Sequence, residues 1–153
     1  MGKRRKARES ALQILYELEF DRSDADQTIN RFWREKKASP EIREYSRWLV
    51  RGVQAHLEEI DEAIQSISTH WRVSRMAVID RNILRLAAFE LLKADSLAPA
   101  IVINEAIEIA KKYSSPEAAT FVNGILDALS KKIRAAPSPP DEVKHVAKRR
   151  KKD

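Results

Sequence analysis

The sequence predicts an all-α protein, a bundle of seven helices, and three observations predict it. Apolar residues recur at three- and four-residue intervals along most of the chain. Only three Gly occur among 153 residues, and the six Pro sit mostly at segment edges or in the C-terminal tail. Strands and tight hairpins therefore have little to punctuate them, and the length supports a single compact unit with a sizeable core.

The first helix is predicted over about Lys6 to Phe20, where Ala7, Ala11, Ile14, Leu15 and Leu18 form one stripe and Leu12 and Tyr16 lie a turn apart on its flank. A second, about Asp24 to Lys37, carries Ile29, Phe32 and Trp33. Ser39-Pro40-Glu41 then supplies an N-cap, a first-position proline and an acid that suits the helix dipole, so a third helix begins there with Ile42, Tyr45, Leu49 and Val53. A fourth continues the register through Leu57, Ile60, Ile64 and Ile67 after a bend, and Trp71 to Arg75 reads as a connector.

The fifth segment, Met76 to Ala94, is apolar nearly all round, with Ile79, Ile83, Leu84, Leu86, Phe89 and Leu92 spread over its circumference. Such a helix belongs at the centre of the bundle. Pro99 opens a sixth, on which Glu108 and Lys112 are spaced for an ion pair. Ser115-Pro116-Glu117 repeats the start signal for a seventh that runs to about Arg134 and buries Val122, Ile125, Leu126, Leu129 and Ile133. Gly124 in its interior costs about 1 kcal/mol against Ala, which close packing on another helix would offset. Residues 135–153 combine three Pro with a terminal Lys/Arg run and are expected to be disordered.

Net charge is +6, and its distribution is uneven. Residues 1–8 carry five cations and no acid, and residues 135–153 carry six cations and three acids, which leaves residues 9–134 at −2. A polyanion is accordingly expected to dock near one or both termini.

Several chemistries are disfavoured. The chain has no Cys, hence neither disulfide nor thiolate metal site. His56, His70 and His145 lack metal-ligand spacing, and His56 with Glu59 reads as an exposed polar pair. Isolated Gly at 2, 52 and 124 build no phosphate loop. Glu58, Glu59, Asp61 and Glu62 read as a solvated helix face rather than acid/base machinery. No catalytic residue, metal or cofactor is expected. Glu9, Glu17, Glu19 and Asp21 interrupt the apolar core that an export signal would need, and no run approaches the roughly 20 residues that span a bilayer.

What remains is the cationic start. Cations there oppose the macrodipole, so local helix stability does not account for them. Two readings stand on composition: a nucleic-acid contact, in which Arg offers planar paired donors to phosphate, or a solubilising run.

Read together, the residues point further. Arg4-Arg5-Lys6-Ala7-Arg8-Glu9 followed by Ala11-Leu12-Gln13 and Leu15-Tyr16 resembles the start of the NusB family of transcription antitermination factors. Ile83-Leu84-Arg85-Leu86-Ala87 with Phe89-Glu90-Leu91, then Ile103 to Lys111, then Phe121-Val122-Asn123-Gly124-Ile125-Leu126-Asp127 resemble the family's later signatures in order and at suitable intervals. The resemblance covers about residues 3–134 and implies two helical subdomains, about 4–56 and 57–134, with 135–153 as an added tail.

It also implies a role. Family members pair with NusE, a small-subunit ribosomal protein, and the pair binds boxA RNA of ribosomal leaders within an RNA polymerase antitermination complex in the cytoplasm. Some relatives self-associate. Carried over by position, Lys3, Arg4, Arg5, Lys6 and Arg8 should contact RNA, with Tyr113 and Phe121 as aromatic contributors, since single-stranded bases splay out and stack. Ordinary helix packing is the alternative for Phe121. Tyr16 and Asp80 match positions that meet NusE, with a core edge and a locally paired acid as their alternatives. Tyr113 and Glu117 stand where some relatives have Phe and Asp, which keeps stacking but blurs RNA preference. Residues Lys148 to Lys152 are expected to add nonspecific RNA affinity.

Two other classes stay open. A NusB-like domain precedes the catalytic part of some RNA cytosine methyltransferases, but this chain has no catalytic Cys and no cofactor-binding sheet. A protein-binding helical adaptor would use the same scaffold without RNA.

Overall fold

A computed structural model describes residues 2–22, 24–34 and 36–135. The expectations for residues 136–153 fall outside the described residues. The described residues form seven α-helices: α1 (Lys3–Phe20), α2 (Ala25–Arg34), α3 (Pro40–Ala55), α4 (Leu57–Ile67), α5 (Val78–Lys93), α6 (Pro99–Tyr113) and α7 (Pro116–Ala135), with a 3₁₀ turn at Val73–Arg75 before α5. No strand occurs among the described residues.

Local signals account for most boundaries. The Ser39 hydroxyl accepts from the Ile42 N–H at 3.3 Å, and Pro40 opens α3 with a ring already at helical φ. Ser115 caps α7 in the same way, its Oγ accepting from Ala118 N–H at 3.0 Å. The bend expected after α3 is His56, whose backbone leaves the helical region while its N–H still bonds Gly52 O at 3.0 Å. Two ends differ from expectation. α1 starts three residues earlier, at Lys3, because tertiary ion pairs described below hold its first turns against an unfavourable dipole; α2 stops at Arg34 rather than near Lys37.

α5 is the central helix. Ile83, Leu84, Leu86, Ala87, Ala88 and Phe89 are all buried, and α1, α3, α4, α6 and α7 pack around it. Ile14, Leu49, Val53, Ile60, Ile64, Val122 and Leu126 close on it with no side chain exposed to water. One apolar cluster includes residues of α1, α3, α4, α5, α6 and α7, so the hydrophobic core crosses the expected boundary at residue 56. Burial of this area is the main stabilising contribution.

The tight spot lies at Gly52. A Cβ built there would overlap the Phe89 ring at Cζ and stand 2.6 Å from Cε2, so α3 approaches α5 at a position where only hydrogen fits. The half-exposed Trp48 ring also meets that of Phe89, with centroids 4.8 Å apart. Gly124 differs from expectation: it is exposed, with nothing within 4 Å of a built Cβ, so no helix packs closely against it. The Glu108–Lys112 pair also gives way. Glu108 takes Lys111 at 3.5 Å, while Lys112 reaches Glu9 on α1 at 3.2 Å.

A polar cluster ties α1 and α4 to α5. Arg81 donates to both oxygens of Glu19, at 3.1 and 2.7 Å, and Asn82 and Arg85 add donors at 3.1 and 2.8 Å. Arg85 also donates to Asp61 at 2.8 and 2.9 Å, which takes Asp61 out of the solvated face expected of it; Glu58 and Glu62 remain exposed. The Arg81 hydrogen bonds lower the Glu19 pKa from 4.5 to about 2, against an opposing contribution from burial.

Two outcomes follow. Gly52→Ala should destabilise by about 1–3 kcal/mol through overpacking, whereas Gly124→Ala should stabilise by about 0.5–1 kcal/mol, both read by urea denaturation. Because folding lowers the Glu19 pKa, its stabilisation is complete above pH 4.5 and is lost as pH falls towards about 2. Glu19→Gln should therefore be less stable at neutral pH and lose less stability over that acid range, measured as the thermal midpoint against pH.

Candidate nucleic-acid interface

The five cations at the start of α1 divide into two groups. A helix turns 100° per residue, so a run of consecutive charges cannot all face water when one side of the helix is buried. Ala7, Ala11, Ile14 and Leu15 fix the buried side. Arg8 falls on it.

Arg8 is 5% exposed and Glu90 of α5 is 2% exposed. The Arg8 Nε donates to Glu90 Oε1 at 2.9 Å and Nη2 to Oε2 at 3.0 Å, a forked pair, and the Tyr45 hydroxyl of α3 donates to the same carboxylate. Burial opposes ionisation of Arg8, but the hydrogen bonds and charge of Glu90 outweigh it and hold its pKa above the ordinary value. Burial and the bond to Glu90 likewise push the Tyr45 phenol well up. The expectation that Arg8 touches RNA meets a physical obstacle: its fork is already filled, inside the protein.

Arg5 is intermediate. Its Nε and Nη2 donate to the two oxygens of Glu105 on α6 at 2.8 and 2.9 Å, and this hydrogen bonding, more than the accompanying charge, holds the Glu105 carboxyl below its usual range. Lys3, Arg4 and Lys6 are exposed. Lys3 makes a solvent-washed pair with Glu41 at 3.1 Å, worth about 0–1 kcal/mol and readily exchanged for another anion. The Arg4 guanidinium lies 3.9 Å from the Tyr45 ring centroid, an arrangement that orients it and leaves its N–H donors unspent. Lys6 has no ion-pair partner among the described residues and lines a groove opposite the α2–α3 connection.

The aromatic candidates are half-buried. Tyr113, at the end of α6, donates to Glu9 Oε1 at 3.3 Å, which links the α6–α7 corner to α1 beside Lys112. Phe121 packs on the core from the second turn of α7, in keeping with its structural alternative while retaining some exposed edge.

Tyr16 and Asp80 lie on the two helices that the Glu19–Arg81 pair joins. Tyr16 is 42% exposed, and its ring lies 5.0 Å from that of Phe20, itself 66% exposed, so α1 ends in a solvent-facing aromatic pair. Phe20 lies outside the apolar stripe that ends at Leu18, and a lone aromatic at a helix end gives no sequence signal of a surface contact. Asp80 accepts from Ser114 Oγ at 2.7 Å, pinning the start of α5 to the end of α6. Among the described residues no group of three or more His, Asp or Glu would hold a metal ion, and no helix is long and apolar enough to cross a membrane.

Removing Arg8 leaves a buried carboxylate without its counter-charge. Arg8→Ala should cost about 3–5 kcal/mol, and Arg5→Ala about 1 kcal/mol, by chemical denaturation. Equal small losses would place Arg8 at the surface instead.

Residues 5–131 match the NusB family. The chain is 44% identical to the transcription antitermination protein NusB of Sorangium cellulosum, over 87% of this chain and 95% of that one. Its fold matches T. maritima NusB with a TM-score of 0.79 at 34% identity, covering 92% of this chain and 96% of that one. It matches a structure of the antitermination factors NusB and NusE in complex with dsRNA with a TM-score of 0.78 at 32% identity, covering 86% and 98%. A match over most of the length, in sequence and in helix arrangement, settles the lineage: the chain belongs to the NusB family.

Proposed function

We propose that this protein is a non-enzymatic transcription antitermination factor of the cytoplasm that binds boxA RNA of ribosomal leaders together with NusE. The observation that carries this reading is the outward row Lys3, Arg4 and Lys6 at the head of α1, on a scaffold of a family in which one solved relative holds NusE and RNA. These side chains contact phosphates; Arg5 adds its remaining Nη1. Tyr113, reached from the same surface through Glu9, offers a ring to a splayed base, and Phe121 contributes its exposed edge. Arg8 acts from within, fixing α1 so that its neighbours project outward.

NusE docks on the side marked by Tyr16 and Asp80, where Phe20 extends the aromatic surface. An adaptor that binds protein alone would use this same side, and RNA affinity separates the two readings.

In gel shifts the protein with NusE should retain boxA RNA at concentrations where scrambled RNA runs free; equal retention of both would overturn the assignment. Replacing Arg4 and Lys6 together by Ala should lower the dependence of log K on log salt by roughly one to two units, since each phosphate contact on a single strand accounts for about 0.7. Asp80→Asn, which keeps an oxygen for the Ser114 hydroxyl, should weaken NusE association in calorimetry while leaving the unfolding midpoint near wild type.

A further inference from the structure

Once internal pairs are set aside, the exposed cations gather in a place the chain ends do not mark. The side chains of Arg34, at the end of α2, and of Arg43 and Arg47, one turn apart on α3, have no hydrogen-bond or ion-pair partner among the described residues. Neighbouring arginines do: Arg31 pairs with Glu17 and Asp21, and Arg51 donates to Asp26 at 2.9 Å. The three unpaired ones line a groove of about 560 Å³, whose only carboxylate among the described residues is Glu44. Like charges four residues apart destabilise a helix by a few tenths of a kcal/mol, so α3 itself does not explain Arg43 and Arg47.

A second groove, of about 610 Å³, adjoins the first across Trp33, which lines both. Lys36 and Lys37 stand on one wall and Lys6 of α1 on another. Glu9, its one carboxylate among the described residues, is already bonded to Lys112. Among the described residues the two grooves together hold six cations against two acids, and Lys6 joins them to the head of α1. The grooves are open and polar, and suit an extended polyanion better than a compact ligand. Arg, with its planar fork, fits phosphodiester oxygens.

We infer that this band is a second RNA track: a single strand held at the head of α1 continues past Lys6 and Trp33 into the α2–α3 groove, where Arg34, Arg43 and Arg47 contact its phosphates. The contacts carry no base preference, so the track lengthens the bound segment without altering which sequence is chosen. This inference rests on the RNA reading above.

The test uses the full chain with NusE and three labelled RNAs: one carrying boxA alone, and two extended by about ten nucleotides on the 5′ or the 3′ side, a length within the span one such groove follows. Wild type should bind one extended RNA more tightly than the short one, with a salt slope steeper by about two units, as three phosphate contacts require. Replacing Arg34, Arg43 and Arg47 together by Gln should abolish that gain and leave the short RNA bound as before. A variant in which Trp48→Phe and Trp71→Phe leave Trp33 as the sole indole should show emission changes with that extended RNA and not with the short one. No gain from either extension, an unaffected gain in the Gln variant, or equal weakening of all three RNAs each overturns the track. If the short RNA fails to bind even wild type while an extension binds through these arginines, the boxA reading falls and the groove stands. If nothing binds, both fall.

Discussion

A guanidinium and a carboxylate buried together at the meeting of three helices constrain this molecule more than any other contact. Arg8 comes from α1, Glu90 from α5, and the Tyr45 hydroxyl from α3 bonds the same carboxylate. Each ion alone would face a desolvation penalty of several kcal/mol, so the helices must come together in the one arrangement that satisfies both. Apolar packing tolerates small slips of one helix on another, whereas a forked ion pair does not. The Gly52–Phe89 approach sets the spacing of α3 on α5, and the Arg8–Glu90 pair sets the rotation and height of α1.

Function follows from that rotation. With Arg8 turned inward and Arg5 on Glu105, α1 has its first turns stabilised against a dipole that repels cations, and Lys3, Arg4 and Lys6 are left pointing outward from a rigid element. Donors on a fixed helix lose less freedom on binding than donors on a loose arm, so ordering them on RNA costs little conformational entropy. The same helix carries Tyr16 and Phe20 at its other end, so one rigid rod presents the proposed RNA and protein contacts in fixed relation.

The fold was legible because it is written in period. Seven helices, their order, the Ser-Pro-Glu starts of α3 and α7, and the centrality of α5 all follow from apolar spacing and capping chemistry. Direction around the helix was less legible for charges. Arg8 looked like its neighbours because a charge is assumed to face water, and only Glu90, buried on the central helix 82 residues away, reveals otherwise. Glu90 was the available signal: an acid in a segment apolar all round needs a partner. Gly52 and Gly124 illustrate the same limit, since a sequence shows where a side chain is missing and not what lies opposite.

Averages over sequence also concealed the basic band. Residues 9–134 sum to −2, yet charge summed along a chain says nothing of which face each residue occupies. Glu9, Glu17, Glu19, Asp26, Asp61, Glu90 and Glu105 are all drawn into pairs, and Glu58 and Glu62 are spent on α4. Among the described residues Glu44 is thus left as the acid facing Arg34, Arg43 and Arg47, and the local excess of cations arises from how pairs are allotted, not from composition. A polyanion responds to the local potential within about a Debye length, roughly 8 Å at physiological salt, so a protein whose body is slightly acidic overall can still guide a strand along one basic path.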